Sequence, residues 1–378
     1  MHVSYQIIDT RSGLEAAVRS LDGERCIAFD LEADSMYHFQ EKVCLLQMAT
    51  RTLNVVIDPL EVKDLSSLRP VFKSSSIQKI FHGADYDVRS LYRDFGIEIN
   101  NLLDTELASR FVGIRETGLE AVLQARFDIR LDKKFQKKDW SRRPLPREMI
   151  EYAASDSVHL IPLARALQTE LTDKGRLDWV TEECDILSRV RPPDPDSGPM
   201  FLRVRGAGKL SPRSLAALEA MLEYRQDVAK KKDRPLFKVF SNRSLLKIAA
   251  RMPRNLKQLV ELNVWSPKQV NMYGTCCIAC IHQALKMSVN ELPVYPRTRA
   301  PRVSARVPQR IEALKRWRES QAEQLDLDPA LICNNALIGE IASKHPKSKS
   351  DLLSIEPMKN WQRREFGQNI LDVLKTVN

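Results

Sequence analysis

Five side chains in the first half of the chain have types and spacings suited to metal-dependent chemistry: Asp30, Glu32, Asp87, Tyr152 and Asp156. Four carboxylates that meet at one point repel one another and take up protons unless cations lie between them. A pair of divalent ions held by carboxylates is a common means of cutting phosphodiesters. The five residues therefore predict a two-metal hydrolytic site, provided that the fold brings their segments together.

The first pair, Asp30 and Glu32, follows an apolar stretch, CIAF, that is typical of a buried strand. Residues two apart in a strand project from the same face, so the two carboxylates are expected to lie side by side. The same D-x-E spacing begins at Asp22 and at Asp104, but only the pair at Asp30 ends a strand-like run. Taken alone, even this pair would be interpreted as a solvated strand end.

The segment HGADYDVRSL contains His82, Asp85 and Asp87 at the start of a predicted helix. Residues two apart on a helix point in different directions. Asp85 lies at the helix start, where a carboxylate caps free N–H groups or interacts favourably with the helix dipole. We therefore expect Asp87 to face the site, and His82 to anchor the turn by a hydrogen bond.

Tyr152 and Asp156 lie four residues apart in the helical pattern EMIEYAASDSVHL. On a helix this spacing places both side chains on one face, so the phenol can orient water beside a metal-binding carboxylate. Tyr5 and Asp9 have the same spacing in an extended segment, where four residues span about 13 Å. The alternative for Tyr152 is a side chain packed at the edge of the core.

Short apolar segments alternate with helical patterns over the first 130 residues, which favours a mixed α/β sheet. The strand-like segments are 25–33, 43–50, 53–59, 77–82 and 102–105. The helix-like segments are 63–73, 84–95, 105–112 and a longer one that follows Pro146 and contains Pro162. Since proline lacks an N–H group, Pro162 is expected to kink that helix.

The rest of the chain is helical in pattern and contains a repeat. Residue types recur at an offset of 93 positions, so that Arg225 corresponds to Arg318 and Pro253 to Pro346. This period is far longer than those of solenoid repeats. It predicts two copies of one small helical domain.

Charge is distributed unevenly along the chain. Residues 1–130 carry 15 Lys/Arg and 20 Asp/Glu, a net of −5, whereas residues 131–147 carry 7 Lys/Arg and 2 Asp/Glu. Residues 200–260 carry 15 Lys/Arg and 4 Asp/Glu, a net of +11. An acidic region that binds metal, joined to basic regions, suits a polyanion that is gripped by one part and cut by another. The first helical copy is the better candidate for that grip.

Seven cysteines without framework spacing favour reduced thiols, and we expect a cytoplasmic protein that does not bind membranes. The N-terminal residues lack the apolar core of a signal peptide, and no apolar run reaches membrane-spanning length. Cys277 and Cys280 form a C-x-x-C motif, but no second pair accompanies them. Burial in a helix is therefore favoured over zinc binding.

With these motifs assembled, the chain resembles the tyrosine branch of the DEDD exonuclease superfamily, and within it the ribonuclease D family. The residues that carry the resemblance are Asp30 and Glu32 in FDLEA, Asp87 in His-x4-Asp with Leu91 after it, and Tyr152 and Asp156 in Tyr-x3-Asp. The histidine branch has a histidine where this chain has Glu151. The family's Gln…Asp-Trp-x-x-Arg-Pro-Leu signature is matched by Gln136, Asp139, Trp140, Arg143, Pro144 and Leu145. Lys138 departs from it, where a small residue is usual.

The duplicated helical unit resembles the HRDC domain. The resemblance implies a ribonuclease H-like mixed sheet with flanking helices, followed by two all-α HRDC domains. The expected bounds are 1–195 for the exonuclease domain, 196–206 for a linker, 207–288 for the first HRDC domain, 289–307 for a basic, proline-rich linker and 308–378 for a second HRDC-like domain.

The same resemblance implies a 3′–5′ exoribonuclease that uses two Mg²⁺ or Mn²⁺ ions and releases nucleoside 5′-monophosphates. Asp30 would bridge the ions, with Glu32 and Asp156 on the first and Asp87 on the second, while Tyr152 orients the attacking water. The implied substrate is RNA with a single-stranded 3′ end, such as a tRNA precursor or another small structured RNA. A monomer is expected.

Substrate contacts are predicted from the basic segment before the catalytic helix, from the residues after the first motif, and from the anchoring histidine. The candidates are Leu31, His38, His82, Lys133, Lys134, Lys137, Trp140, Arg142 and Arg143. For Trp140, burial is favoured over stacking on a base, because tryptophan usually packs.

Three alternatives remain. A 3′–5′ DNA exonuclease would use the same carboxylates, because two-metal chemistry does not involve the 2′-hydroxyl. A nucleic-acid-binding protein with an inactive nuclease fold should have lost a metal ligand, whereas all five residues are present. A purely structural set of solvated acids predicts no stabilisation by Mn²⁺.

Overall fold

The computed structural model of the chain describes residues 4–194, 198–296 and 304–377. It divides into two compact units, each with its own core. The first unit comprises Met1–Ala33, Val43–Pro192 and Ala300–Asn378, and the second comprises Asp34–Lys42 and Pro193–Arg299. The second helical repeat therefore belongs to the same compact unit as the N-terminal α/β domain.

The α/β domain is built on a six-stranded mixed sheet with the order β1-β4-β3-β2-β5-β6. Its strands are β1 (Gln6–Ile8), β2 (Cys26–Ala33), β3 (Val43–Ala49), β4 (Asn54–Ile57), β5 (Gln78–Phe81) and β6 (Leu102–Asp104). Strand β3 is antiparallel to both of its neighbours, and the remaining pairs are parallel. This arrangement confirms the predicted mixed sheet, with β1 as an additional strand at its edge.

Nine helices flank this sheet within the described part of the domain. They are α1 (Arg11–Arg19), α2 (Pro59–Val62), α3 (Arg69–Lys73), α4 (Asp85–Phe95), α5 (Thr105–Val112), α6 (Leu119–Phe127), α7 (Arg147–Val158), α8 (Leu160–Asp173) and α9 (Leu177–Ser188). The long helix predicted after Pro146 is divided into α7 and α8 at His159. Pro162 explains the break, since it has no N–H to bond the carbonyl of Val158.

The two helical repeats contain the same five helices. The first has α10 (Pro212–Lys231), α11 (Leu236–Val239), α12 (Asn242–Arg251), α13 (Leu256–Glu261) and α14 (Pro267–Lys286). The second has α15 (Val307–Leu325), α16 (Pro329–Ile332), α17 (Asn335–Lys344), α18 (Lys349–Leu353) and α19 (Asn360–Lys375). The last four helices of each repeat begin 93 residues apart, which confirms the duplication.

A buried arginine holds each repeat together in the same way. The guanidinium of Arg225 donates to the carbonyl of Phe240 at 3.0 Å and to the Oδ1 atom of Asn242 at 2.7 Å. Arg318 makes the same two bonds, at 3.0 Å each, to the carbonyl of Cys333 and to the Oδ1 atom of Asn335. These acceptors lie 93 positions after Phe240 and Asn242. These bonds satisfy carbonyl and side-chain oxygens where a short helix meets the next one, and a buried acceptor left without a partner would be costly.

The predicted linker at 196–206 is shorter in the structure. Met200–Arg203 forms a 3₁₀ turn, and Phe201 and Val204 are buried in the core of the first repeat. Their apolar side chains explain the difference, because they gain more from burial than a solvated linker would. Of the second predicted linker, 289–307, residues 297–303 lie outside the described residues, while Val289–Glu291 forms a 3₁₀ turn and Val307 begins α15. Within the described part of the chain, no helix combines the length and apolarity that crossing a bilayer requires.

Candidate active site

Three of the predicted carboxylates meet at one point. Asp30 and Glu32 lie on β2, and Asp156 lies on α7, which packs against β2, β3 and β4. The ligand oxygens of these three residues all lie within 4.8 Å of one another. The strand period of two and the sheet-packed face of α7 thus produce the cluster that the sequence predicted.

Asp87 joins this cluster electrostatically, from the first turn of α4. Its side chain is buried, and burial followed by the charge of Asp30 raises its pKa well above the ordinary value. Asp85 is exposed on the same turn and pairs with Arg89 at 2.8 Å. The two aspartates therefore point apart, as their spacing on a helix requires.

Burial and mutual repulsion raise the pKa values of the carboxyl groups when no cation is bound. Burial raises the pKa of Asp30 to about 6. Burial, and then the charge of Asp30, raises the pKa of Asp156 to about 8, and the pKa of Glu32 rises for the same reasons in the same order. A divalent cation offsets these charges, and carboxylate oxygens are the ligands that Mg²⁺ and Mn²⁺ prefer. The donor set therefore fits a divalent metal site.

Tyr152 lies half-buried beside Asp156, on the same face of α7. Burial and the negative charges of Asp156 and Glu32 raise the pKa of its phenol, so the hydroxyl keeps its proton. The tyrosine ring packs against Phe135 at 5.9 Å and against Trp140 at 6.1 Å between ring centroids. These contacts fix the direction in which the hydroxyl can donate a hydrogen bond.

Asp30, Glu32, Asp156 and Tyr152 line a cleft of about 500 Å³, the active-site cleft. Several further polar residues line it that the sequence did not single out as functional, among them Glu106, Thr117, Glu120 and Gln136. Thr117 donates to Glu106 at 2.7 Å, so two walls of the cleft are joined. In the sequence, Gln136 belongs to the family signature, and Glu106 belongs to a D-x-E pair that does not end a strand-like run.

The predicted substrate residues divide into two groups. Leu31, His82 and Lys133 line the active-site cleft, although Lys133 also pairs with Glu120. The Nδ1 atom of His82 lies 2.9 Å from the hydroxyl of Thr105, which matches the predicted anchoring bond. All three remain candidates for substrate contact.

The other candidates lie outside the cleft or have their side chains occupied. Lys134 pairs with Glu148, Arg142 pairs with Asp139, and Lys137 is exposed on the same segment. His38 lies in the second compact unit, where its Nδ1 is 2.6 Å from a carboxylate oxygen of Asp233. Lys134, Lys137, Arg142 and His38 stay predictions as substrate contacts.

Two of the substrate candidates have structural positions instead. Trp140 is only 1% exposed and packs in a small core with Cys44 and Met149, so it has no free face for a base. Arg143 donates two bonds to Asp58, at 2.6 and 2.7 Å, and further bonds to backbone carbonyls. Burial of the tryptophan, the favoured alternative, explains why the indole cannot stack on a substrate.

A prediction follows from the raised pKa values. Metal-free protein should lose stability as the pH rises from the ordinary Asp pKa of 3.8 through the raised values of about 6 and about 8. Within that window the folded state holds protons that the unfolded state has released, so unfolding becomes easier with pH. Mn²⁺ at about 100 times its Kd should then add about 2.7 kcal/mol.

Melting temperatures in EDTA and in Mn²⁺, at about pH 5 and about pH 8, test this. The gain from Mn²⁺ should be larger at the higher pH, because protons no longer compete for the carboxylates. An equal gain at both values would show that the cluster does not bind the ion.

Comparisons with known proteins identify the same two parts of the chain. A family model described as a 3′-5′ exonuclease matches residues 5–172, and the HRDC domain model matches residues 214–281 and 308–374. Ribonuclease D of Bartonella henselae is 26% identical over 376 residues, which are 98% of this chain and 90% of that protein. The crystal structure of Escherichia coli RNase D has a TM-score of 0.75 at 23% identity and covers 99% of both chains, so the fold is shared throughout.

Protein RRP6-like 2 of Arabidopsis thaliana is 31% identical over 268 residues, which are 68% of this chain. The present chain spans only 31% of the length of that relative. Fold, carboxylate cluster and family models together define a 3′–5′ exonuclease domain followed by two HRDC domains, and this is a nuclease enzyme. Over nearly its whole length the chain is similar to ribonuclease D, and an exonuclease domain of this kind implies dependence on divalent metal ions.

Proposed function

We propose that this protein is a 3′–5′ exoribonuclease that releases nucleoside 5′-monophosphates by two-metal-ion hydrolysis. One observation carries the proposal: three carboxylates with ligand atoms within 4.8 Å lie in a cleft that also contains a protonated tyrosine. Relatives named ribonuclease D that align over most of the chain support RNA as the substrate.

The carboxylates would hold two divalent ions, Mg²⁺ or Mn²⁺, as the resemblance to the superfamily implies. Asp30, Glu32 and Asp156 would hold the first ion, and Asp30 with Asp87 would hold the second. When bound, such ions supply positive charge that activates water and stabilises the departing oxygen. Because β2 and α7 are packed parts of the core, the ligands are positioned before any ion arrives.

Tyr152 acts through its proton rather than as a base. Its phenol stays neutral because burial and the charges around it raise its pKa, so it donates a hydrogen bond to the attacking water. Phe135 and Trp140 hold the ring, which limits where that water can lie. The tyrosine therefore orients the nucleophile beside the terminal phosphate.

The substrate we propose is RNA with a single-stranded 3′ end, with tRNA precursors and other small structured RNAs as the class to test. A cleft of about 500 Å³ is large enough for a terminal nucleotide and too small for a duplex end. Lys133 in the cleft and the exposed lysine and arginine side chains of the segment 131–147 supply positive charge for the phosphates of the RNA backbone. The first repeat adds a basic surface, with Lys230, Lys231 and Arg234 exposed.

Replacing Tyr152 with Phe tests the assigned role. The variant should lower kcat by about 10²-fold, in the range found when one catalytic hydrogen bond is removed. Its stabilisation by Mn²⁺ should be unchanged, because no metal ligand is lost. The measurement is a time course on 5′-labelled single-stranded RNA with Mg²⁺ or Mn²⁺, together with melting temperatures.

The same time course tests the proposed function. Wild type should produce a ladder that shortens one nucleotide at a time from the 3′ end, and should release 5′-monophosphates. Blocking the 3′ end should stop the reaction. Internal cleavage products would contradict the proposal, and faster digestion of the matching DNA would favour a DNA exonuclease on the same scaffold.

A further inference from the structure

One buried carboxylate, Asp104, holds the turn that leads into α4. Its Oδ1 atom accepts the N–H of Gly83 at 2.9 Å, and its Oδ2 atom accepts the N–H of Ala84 at 2.8 Å. Oδ1 also accepts the N–H of Glu106 at 2.8 Å, so the same side chain caps α5. A single carboxylate thus joins the end of β6 to the start of two helices.

The turn determines the direction of α4 and therefore of Asp87. Gly83 has a φ of +76°, in the left-handed region, and Ala84 immediately precedes the first helical residue. Ala84 offers no side-chain cap to α4, so the bond to its N–H from Asp104 takes that place. Asp87 is the third residue of the helix and follows any rotation of this first turn.

Thr105 strengthens the same turn from the next position in the chain. Its hydroxyl donates to the carbonyl of Phe81 at 2.9 Å and lies 2.9 Å from the Nδ1 atom of His82. All four residues from 81 to 84 are therefore bonded to the pair Asp104 and Thr105.

We propose that Asp104 is a positioning residue that sets Asp87 against Asp30 and so sets the affinity for the second divalent ion. This inference rests on the proposed two-metal function. Asp104 is not one of the five predicted residues, and the role assigned to it is the placement of Asp87, the carboxylate that reaches the cluster from α4.

The variant Asp104→Asn tests these hydrogen bonds. It replaces one of the two acceptor oxygens with an amino group that cannot accept a hydrogen bond, while it keeps the shape of the side chain.

The test is the Mn²⁺ dependence of wild type and Asp104→Asn, read out by calorimetric titration of Mn²⁺ and by the rate of RNA shortening. We expect the Mn²⁺ affinity of the weaker of the two sites to fall by about 10–100-fold, as is usual when a residue that orients a metal ligand is replaced. The Mn²⁺ concentration that gives half the maximal rate should rise by the same factor. The KM for RNA should stay within about twofold, because the first metal site and the cleft are unchanged.

Asp58→Asn is the matched control. Asp58 is also a buried aspartate that caps a helix, α2, where it accepts the N–H of Leu60 at 3.0 Å. Among the described residues its side chain bonds Leu60 and Arg143 and not the turn before α4, so its replacement should lower stability and leave the Mn²⁺ dependence unchanged. A merely structural role for Asp104 predicts that both variants behave alike.

A glycine pair keeps the inference testable if Asp104→Asn does not fold. Gly83→Ala strains the turn itself, since its φ is positive while the added Cβ meets no atom within 4 Å. Gly96→Ala places similar strain, at a φ of +60°, at the other end of the same helix. We expect only Gly83→Ala to weaken Mn²⁺ binding.

The two possible failures are distinguishable. Absence of metal-dependent RNA shortening in wild type would reject the proposed function. An active wild type with unchanged Mn²⁺ dependence in Asp104→Asn, or in Gly83→Ala where the first variant is unfolded, would reject the positioning role alone.

Discussion

Replacing Asp30 with Asn should lower the rate of RNA shortening by at least about 10³-fold while the chain stays folded. Asp30 contributes to both proposed metal sites, and its ligand oxygen lies within 4.8 Å of those of Glu32 and Asp156. The amide keeps the shape of the side chain but removes the charge that attracts the cations.

The metal-free stability of this variant should change in the opposite direction. The charge of Asp30 raises the pKa of Asp156, Glu32 and Asp87, so it repels three buried neighbours when no cation is present. Removing it should raise the melting temperature in EDTA at about pH 8 and abolish most of the stabilisation by Mn²⁺. Loss of activity combined with gain of stability separates a metal ligand from a structural residue.

Asp85→Asn is the control for this experiment. It removes a carboxylate from the first turn of α4, two residues from Asp87, but its side chain is exposed and bonded to Arg89. We expect its activity and its Mn²⁺ dependence to match wild type, since an exposed ion pair contributes about 1 kcal/mol or less. Activity of Asp30→Asn comparable to that of Asp85→Asn would disprove the two-metal site.

The periodicity of apolar residues predicted those strands and helices whose position is determined by the residues next to them in the sequence. The strand predicted at 25–33 is β2, and the helix predicted at 105–112 has those bounds in α5. The missed strand, β1, has three residues at the sheet edge, too few for a pattern to emerge. Of the helix predicted at 63–73, only Arg69–Lys73 is α-helical, as α3, and a 3₁₀ turn at Ser66–Leu68 precedes it. Lys63, at the end of α2, has a positive φ that does not continue a helix.

The site was predictable where it depends on spacing within one element. Asp30 with Glu32, and Tyr152 with Asp156, have the relative positions that a strand and a helix give to such spacings. Glu106 and Thr117 line the cleft from segments whose paths depend on how α5 and α6 pack, which no local pattern contains. The role of Asp104 was missed for the same reason, since its partners at 83 and 84 lie about twenty residues away.

The two copies of the repeated unit share a fold but contact different parts of the chain. Asp233 and Asp326 occupy the same position in the two copies, and both have a positive φ. Asp233 accepts the N–H of Phe39 at 3.0 Å, in the loop that follows β2, and this loop belongs to the second compact unit. Asp326 pairs with Arg115 of the α/β domain at 2.8 Å. The same corner of each copy therefore binds a loop of the N-terminal chain.

The second copy makes far more extensive contact with the α/β domain than this corner alone. Trp361 on α19 stacks on Trp179 on α9 with ring centroids 4.7 Å apart, and meets Phe111 edge-on at 5.6 Å. Glu182 accepts the N–H groups at the start of α19, at 2.6 and 2.9 Å, and so caps this helix from the other domain. Glu183 accepts the indole N–H of Trp361 at 2.9 Å. These bonds explain why both regions form one compact unit.

Trp361→Ala should therefore lower the free energy of unfolding by about 3–5 kcal/mol, the range for a large aromatic side chain removed from a core. Trp361 is 0% exposed, and its loss leaves a cavity beside Trp179 and an unpaired acceptor on Glu183. The measurement is urea unfolding followed by circular dichroism, with hydrogen exchange of α19 to show whether the second repeat separates from the α/β domain.

The duplication supplies the matched control, because the residue 93 positions before Trp361 is Lys268, at the same place in α14. Lys268 is exposed, so Lys268→Ala should change stability by no more than about 0.5 kcal/mol. Equal unfolding midpoints for the two variants would mean that the indole does not join the second repeat to the α/β domain. A large loss for Trp361→Ala alone would instead show that duplication produced one copy that braces the α/β domain, through an indole that the other copy lacks at that position.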